Sequence, residues 1–170
     1  MATTNQMIQT YLKSKGVTED NRSLMLDMQE AQIPSALLMK DAEKFVQRIY
    51  ELIMAGKRIV VYGDYDADGV CATTTMVRAL RELAMILTGK PGKIKYFIPH
   101  RFIDGYGMKP KTIDKLRDKF PKTDVIITVD NGIVAFDAIE YAKSLGYEVI
   151  VTDHHGGVDG RNPNCDIVVN

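Results

Sequence analysis

The sequence has 170 residues, of which 45% are hydrophobic, and its 22 basic side chains balance 22 acidic ones. This length suffices for one domain with a buried core, and the zero net charge excludes a chain that is basic all over, although a local basic patch could still bind a polyanion. The sequence has no zinc-type or disulfide-type cysteine spacing, no signal-peptide pattern at residues 1–6, and no apolar run of the roughly 18 residues that a membrane span needs. We therefore expect a cytoplasmic protein that does not enter a membrane.

Residues 1–56 are predicted to form a helical segment packed on the core. Apolar side chains with helical spacing end at Gly16 and again at Gly56, and Pro34 marks a break between two helices. The predicted organisation is therefore a helical segment over residues 1–56, followed by an α/β domain over residues 57–170.

Strands and helices alternate from residue 58 onward. The predicted strands cover residues 58–62, 93–98, 125–129, 148–151 and 167–169, and the predicted helices cover 69–87, 111–119 and 133–145. The first of these helices is expected to turn Val70, Met76, Val77, Leu80 and Leu83 inward. Because the strands are apolar throughout, they are typical of parallel strands buried on both faces. The sequence predicts an α/β fold with a doubly wound, mainly parallel sheet and helices on both faces.

Metal-ligand side chains follow three of these strands. Asp153-His154-His155 follows the fourth strand, an acidic string at residues 64–69 follows the first, and Asp130-Asn131-Gly132 follows the third. Neutral imidazole and carboxylate suit Mn, Fe, Co and Zn, and parallel strands bring their carboxyl ends to one edge of a sheet. The pattern therefore predicts one metal-binding cleft.

The acidic string reads Asp-Tyr-Asp-Ala-Asp-Gly, with carboxylates at alternate positions 64, 66 and 68. If the backbone is still extended there, the three carboxylates point the same way and repel one another unless a cation collects them. The alternative is a solvated acidic loop or a helix N-cap, with Asp68 as a capping residue. A calcium loop is disfavoured, because no Glu stands at its twelfth position and a strand precedes it.

These motifs, taken together, resemble those of the DHH phosphoesterases, and among them the RecJ-type single-strand-specific exonucleases. The resemblance runs from about residue 37 to residue 170 and includes the segment at 98–108, Ile-Pro-His-Arg-Phe-Ile-Asp-Gly-Tyr-Gly-Met. It implies a 5′-to-3′ hydrolase of single-stranded DNA that works with Mn²⁺ or Mg²⁺ at a two-metal centre. Two such cations can activate a bridging water and stabilise both oxygens of an in-line displacement.

The resemblance also implies roles for individual residues. The implied metal ligands are Asp66, Asp68, Asp130, His154 and His155. The implied catalytic-site residues are Asp64, Asp68, Asp153 and His155, with Asp64 and Asp153 as supporting carboxylates and Asp153 orienting an imidazole.

Arg101, Phe102 and Tyr106 are candidates for nucleic-acid binding. The guanidinium could grip a phosphate while an aromatic ring stacks on a base. In the alternative, the aromatic rings pack the loop and Arg101 pairs with Asp104. The sequence leaves both open.

The sequence departs from the family in length, since relatives continue with a further metal-ligand Asp and a second substrate-binding domain. We therefore expect a fragment, a split-gene product that needs a second polypeptide, or a reduced relative, with one of the two metals bound weakly. Two other functions stay open: a DHH phosphoesterase of short oligonucleotides or cyclic dinucleotides, and a non-catalytic module that binds nucleic acid or a replication partner.

Overall fold

The computed structural model describes residues 4–17, 35–158 and 160–170, and it divides the chain into two compact units, Met1–Leu38 and Met39–Asn170. The first unit contains helix α1 (Thr4–Ser14) and a 3-10 turn at Ala36–Leu38. The predicted break at residues 31–34 lies outside the described residues, and the predicted division at residue 56 stays a prediction. Within the described ranges, no helix is long and apolar enough to cross a membrane.

The second unit alternates helices and strands. Its helices are α2 (Ala42–Met54), α3 (Ala67–Thr88), α4 (Arg101–Asp104), α5 (Pro110–Lys119) and α6 (Phe136–Ser144). Its strands are β1 (Arg58–Tyr62), β2 (Lys93–Phe97), β3 (Val125–Val129), β4 (Glu148–Thr152) and β5 (Ile167–Val169).

The five strands form one parallel sheet in the order β2-β1-β3-β4-β5. After β1 the chain crosses to β2 at one edge, and after β2 it returns past β1 to β3. The direction of winding therefore reverses between β1 and β3, and the carboxyl ends of strands at such a reversal are where doubly wound sheets bind ligands. The predicted fold class is confirmed.

Helices cover both faces of the sheet. Alternate strand residues point to opposite faces, so each strand contributes side chains to the core on either side. On one face, α2 and α3 pack against Ile59, Val61 and Ile127. On the other face, α5 and α6 pack against Val60 and Ile126. Burial on both faces explains why the central strands are apolar throughout.

Three local predictions were wrong. Helix α6 begins at Phe136 rather than at residue 133, because the Ile133 N–H donates to the Asp153 carboxylate (3.0 Å) and is held in the preceding loop. Val70 is 43% exposed, since it lies in the first turn of α3, beyond the end of the sheet. Helix α4 was predicted as loop, and the His100 ring caps it by accepting from the Phe102 N–H.

Candidate metal centre

The carboxyl ends of β1, β3 and β4 bring the predicted ligand motifs together. Asp64 comes two residues after β1, Asp130 directly after β3, and Asp153 directly after β4. These three strands are neighbours in the sheet, and β1 and β3 flank the reversal of winding. The predicted convergence at one edge of the sheet is therefore present in the fold.

Asp130, His154 and His155 form the tightest group. Each offers one ligand atom, and these atoms all lie within 4.8 Å of one another. Nε2 of His154 is 2.9 Å from Oδ1 of Asp130, and the two imidazole rings are edge-to-face with centroids 4.5 Å apart. This spacing would let a single cation contact all three side chains.

Asp130 has an unusual backbone conformation, with φ at 59°. Asp and Asn tolerate this left-handed region better than other non-glycine residues. Burial and the negative charge of Asp66 raise the pKa of Asp130, and the two imidazoles oppose that rise without cancelling it. The site therefore holds a carboxylate that a nearby positive charge would stabilise.

Asp153 is held by its own loop and by the loop that follows β3. Its Oδ1 accepts from the backbone N–H groups of His154 (2.8 Å) and His155 (3.1 Å) and contacts Nδ1 of His155 at 2.7 Å, while its Oδ2 accepts from the Ile133 N–H. Burial raises the pKa of Asp153, but these hydrogen bonds outweigh burial and leave the pKa below its usual value. The side-chain contact between Asp153 and Nδ1 of His155 raises the pKa of His155. An imidazole that donates from Nδ1 turns its Nε2 lone pair outward, which fixes it for a ligand.

The three carboxylates of the acidic string do not share one environment, because helix α3 starts at Ala67 and ends the extended backbone. Asp66, rather than Asp68, is the N-cap of α3, and its Oδ1 accepts from the Gly69 N–H at 2.8 Å. Asp66 and Asp68 are exposed, whereas Asp64 is buried. Burial raises the pKa of Asp64, and the charge of Asp66 raises it further.

Two glycines bring α3 close to the end of β1. A Cβ on Gly63 would lie 1.8 Å from Oγ1 of Thr73, and a Cβ on Gly69 would lie 2.6 Å from the Asp64 carbonyl oxygen. Neither distance is physically possible. The helix can therefore approach the strand this closely only where side chains are absent.

Buried polar atoms without a hydrogen-bond partner, among the described residues, all belong to the ends of β1 and β3 or the start of α3. They are both carboxylate oxygens of Asp64, the hydroxyls of Thr73 and Thr128, and Oδ1 of Asn131. Buried polar groups normally have a partner, and a bound water or ion is one way to supply it. Oxygen atoms beside carboxylates and imidazoles fit a hydrated divalent cation such as Mn²⁺ or Mg²⁺.

Two cavities flank the group of Asp130, His154 and His155. One of about 580 Å³ is lined by Asp68, Asp130 and His154 together with apolar side chains of α3. The other, of about 250 Å³, is lined by Tyr106 and His155. A substrate could therefore reach the ligand side chains from either side of the β4 loop.

Most side chains of the segment at 101–106 are exposed to solvent, and Asp104 is the buried exception. Phe102 is 89% exposed, Tyr106 is 50% exposed, and the Arg101 guanidinium lies over the Tyr65 ring at 5.3 Å. The alternative pairing of Arg101 with Asp104 is not what the structure contains, because Asp104 is buried against Lys115 and accepts from the His100 N–H. The hydrogen bond with Lys115 lowers the pKa of Asp104.

Two residues of this edge were not predicted as site residues. Tyr65 joins the acidic string to the 101–106 segment, because its ring meets both Arg101 and Tyr106 (centroids 6.5 Å apart). The Asn131 amide donates to the carbonyl oxygens of Val129 (2.9 Å) and, more weakly, Tyr62 (3.4 Å). Both residues stand inside the motifs quoted above, and this position is the only sign of them in the sequence. Their contacts with Arg101, Tyr106 and Tyr62 join distant segments and are not visible in a linear sequence.

Comparison with known proteins decides the family. The model of the DHH family, N-terminal domain, matches residues 58–170. The chain belongs to the DHH family. Its DHH domain thus contains every strand of the sheet and every motif on which the resemblance rested.

Individual relatives of this DHH domain are RecJ proteins. The chain is 42% identical over 117 residues to the single-stranded-DNA-specific exonuclease RecJ of Escherichia coli, a match that covers 69% of this chain and 19% of the relative. The crystal structure of an exonuclease RecJ bound to manganese superposes with a TM-score of 0.66 at 33% identity, covering 80% of this chain and 32% of that one. RecJ of Thermus thermophilus in complex with Mn²⁺ gives a TM-score of 0.63 at 27% identity, covering 92% and 20%.

The DHH domain described here spans about a fifth of the length of the curated relatives it matches. Two of the similar structures hold manganese, the metal for which the Asp and His side chains at the sheet edge are suited. The family and the kind of cofactor that the sequence predicted are therefore confirmed, while the roles of the individual site residues stay predictions.

Proposed function

We propose that this chain is the metal-binding part of a hydrolase that cleaves phosphodiester bonds of single-stranded DNA from the 5′ end. The observation that carries the proposal is the approach of Asp130, His154 and His155 to within 4.8 Å at the carboxyl edge of a parallel sheet. The similarity to single-stranded-DNA-specific RecJ exonucleases supports the choice of substrate.

The proposed metal ligands are Asp66, Asp68, Asp130, His154 and His155, as the resemblance implies. When bound there, Mn²⁺ or Mg²⁺ would lower the pKa of a water molecule and polarise the phosphoryl oxygens. Asp66 has one oxygen committed to capping α3 and its other oxygen available as a ligand. Asp68 lines the same cavity as Asp130 and His154, so its carboxylate could join them at a bound cation.

We assign positioning roles to Asp153 and Asp64. Asp153 orients His155, because the 2.7 Å contact engages Nδ1 and turns Nε2 away from Asp153 as the ring nitrogen that a cation can reach. Asp64 is buried, no described side chain pairs with it, and it adds negative charge that favours a cation at the edge. Neither residue needs to touch the substrate in this proposal.

We propose that Arg101, Phe102 and Tyr106 receive the DNA strand. The stacking of Arg101 on Tyr65 holds the guanidinium beside the acidic string, where it could pair with a phosphate. Phe102 is solvent-exposed, so its ring could stack on a base without rearrangement of the core. Tyr106 lines the cavity next to His155 and would lie between the base contact and the metal ligands.

A single-turnover nuclease assay tests this function. The chain, in excess over a single-stranded oligonucleotide labelled at its 5′ or 3′ end, should release 5′-mononucleotides slowly in Mn²⁺ and none in EDTA. Duplex DNA should resist, and Asp130→Asn should abolish release while Asp114→Asn, a change of equal charge on α5, should not.

The other outcomes separate the remaining functions. Faster cleavage of a cyclic dinucleotide than of the long strand would replace the proposal with a short-substrate phosphoesterase. Binding of DNA without cleavage under any metal condition would indicate a non-catalytic module. Cleavage that appears only when a second polypeptide is added would support the split-protein expectation and keep the proposed chemistry.

A further inference from the structure

A second charged surface lies at the opposite end of the sheet from the metal ligands. The amino ends of β1 and β2 border a cavity of about 510 Å³ on the face that α5 covers only in part. Four lysines line it: Lys93 and Lys95 from β2, and Lys119 and Lys122 from the end of α5 and the turn that follows. We call these four residues the lysine corner.

Lysine is unexpected at two of these positions. Residues 93, 95 and 97 point to the same face of β2, and Phe97 packs in the core with α5. Lys93 and Lys95 continue the same row but are exposed, so the uncovered part of the face carries ammonium groups instead of apolar side chains. Charged residues at a sheet edge discourage strand pairing. Lys119 stands in the last turn of α5, where a cation suits the helix dipole, but neither effect accounts for Lys122 in the turn that follows.

The positive charge of the lysine corner is not neutralised within the described part of the chain. The fifth cation of the cavity, Arg58, is paired with Asp124 at 2.7 Å. Lys93 donates to the Gly56 carbonyl oxygen (3.2 Å), and the Lys119 ammonium lies over the Phe120 ring at 5.4 Å. None of the four lysines forms an ion pair with a described carboxylate.

We propose that the lysine corner binds phosphates of a single-stranded nucleic acid outside the hydrolysis site. The inference rests on the proposed function, which supplies the polyanion. Strand β2 connects the two regions, because its amino end lies in the lysine corner and its carboxyl end leads through residues 98–100 to Arg101. The five residues of β2 span about 16 Å, and residues 98–100 add to this separation, so a DNA strand of several nucleotides held at Arg101 could follow the β2 edge to Lys93.

The spacing within the corner also suits a phosphate backbone. Lys93 and Lys95 are two residues apart on one strand, which places them roughly 6.6 Å apart along it. Their long, flexible stems let each ammonium act as a point charge for one phosphate without reading the base. The corner should therefore increase affinity for long strands regardless of sequence, and it should add nothing for a dinucleotide.

DNA binding measured at several salt concentrations in EDTA tests the lysine corner separately from the metal site, because EDTA removes divalent cations. Fluorescence anisotropy with a long single-stranded oligonucleotide should show about tenfold weaker binding for the double variant Lys93→Ala/Lys95→Ala than for wild type. The slope of log K against log salt should fall by about 0.7 for each phosphate contact removed. The matched control is Lys13→Ala/Lys15→Ala on α1 and the turn after it, which removes the same charge and should leave both quantities unchanged.

A second variant and a second ligand complete the test. Lys93→Gln/Lys95→Gln keeps most of the side-chain stem, so it should weaken DNA binding equally while urea denaturation remains as in wild type. Wild-type affinity in both folded double variants would overturn the proposal. So would tighter binding of a polyglutamate peptide than of DNA, because the surface would then be a site for an acidic protein segment.

The failure of this inference differs from the failure of the proposed function. Mn²⁺-dependent binding of a dinucleotide reports only on the metal site, and it should persist in the lysine variants and disappear in Asp130→Asn. Loss of that signal in wild type would remove the proposed function. If wild type and the lysine variants bind the long strand equally while the dinucleotide signal persists, the proposal for the lysine corner fails and the proposed function stands.

Discussion

Carboxylates stand at both ends of the parallel sheet, but their surroundings are opposite. At the amino end, Asp124 accepts from the backbone N–H and two guanidinium nitrogens of Arg58, and the hydrogen bonds lower the pKa of Asp124 to about 2. At the carboxyl end, no described side chain pairs with Asp64, and burial raises its pKa. Acids at the amino end thus join strands, whereas acids at the carboxyl end remain available for an external cation.

Other residues follow the same division. At the amino end, Glu148 receives two hydrogen bonds from Arg48, and Asp166 accepts from the Val149 N–H. At the carboxyl end, Asp153 is the exception, since backbone N–H groups of its own loop and of the loop after β3 donate to its two oxygens. The acids of this chain therefore differ in whether a described partner holds them, a difference that the zero net charge of the sequence does not reveal.

The largest effect should come from Asp130→Asn. We expect Mn²⁺ affinity to fall by about 100-fold or more, because the variant removes a proposed ligand charge. Asn tolerates the left-handed backbone, so the free energy of unfolding should stay the same or rise as repulsion with Asp66 is relieved. Calorimetry with Mn²⁺ and urea denaturation measure the two quantities. A destabilised variant with normal Mn²⁺ affinity would show that Asp130 belongs to the structural class of acids.

Asp153→Asn should have the next largest effect. We expect a roughly 10- to 100-fold loss of Mn²⁺ affinity, the usual consequence of losing a carboxylate that orients a ligating imidazole. The measurement is the same Mn²⁺ titration, with Asp166→Asn as the control, since both side chains accept backbone hydrogen bonds but only Asp153 contacts His155. Equal affinities for wild type and Asp153→Asn would contradict the orienting role.

Asp124→Asn should have the opposite effect to Asp130→Asn, lowering stability without changing Mn²⁺ binding. The free energy of unfolding should fall by about 1–2 kcal/mol at neutral pH, while Mn²⁺ affinity is unchanged. The folded pKa lies below the ordinary value of 3.8, so the stabilisation is present above about pH 4 and is lost as pH falls through about 2. Urea denaturation of wild type and variant across this range should therefore converge at low pH. A constant difference at all pH values would mean that the carboxylate charge is not the cause.

Arg101→Ala should have the smallest effect. Affinity for single-stranded DNA should fall roughly fivefold, the loss of the approximately 1 kcal/mol that one exposed charge contact contributes, without a change in Mn²⁺ binding. Arg78→Ala, an exposed arginine on α3, is the matched control. Loss of the fold in Arg101→Ala, seen by circular dichroism, would instead assign Arg101 to packing.

The sequence was sufficient for the elements whose pattern is local. Strands β1, β3 and β5 have the predicted bounds because β-branched runs define them and glycine or polar residues limit them. The start of α6 could not be predicted, since the Ile133 N–H that would begin it is held by Asp153, twenty residues later. Helix α4 was missed because one histidine ring and one buried carboxylate stabilise its four residues.

The residues of the site also separate into those that the local sequence predicts and those that depend on the fold. Its ligand candidates stand in compact motifs after strands, so their convergence followed from the parallel topology. The burial of Asp64, the capping by Asp66 and the exposure of Asp68 did not follow, because they depend on where α3 begins. Tyr65 and Asn131 were missed for a related reason, since each makes contacts with segments distant in the sequence.

The glycines that bring α3 against β1 have a consequence for genetics. Gly63 and Gly69 carry no reactive group, yet any side chain there would collide with Thr73 or with the Asp64 backbone and displace the helix start that holds Asp66 and Asp68. In a saturation-mutagenesis screen for activity, both positions should reject nearly every substitution, as a metal ligand does. Alleles at these two codons would then be indistinguishable from ligand alleles by phenotype, and metal titration of the purified variants would be needed to separate spacing from chemistry.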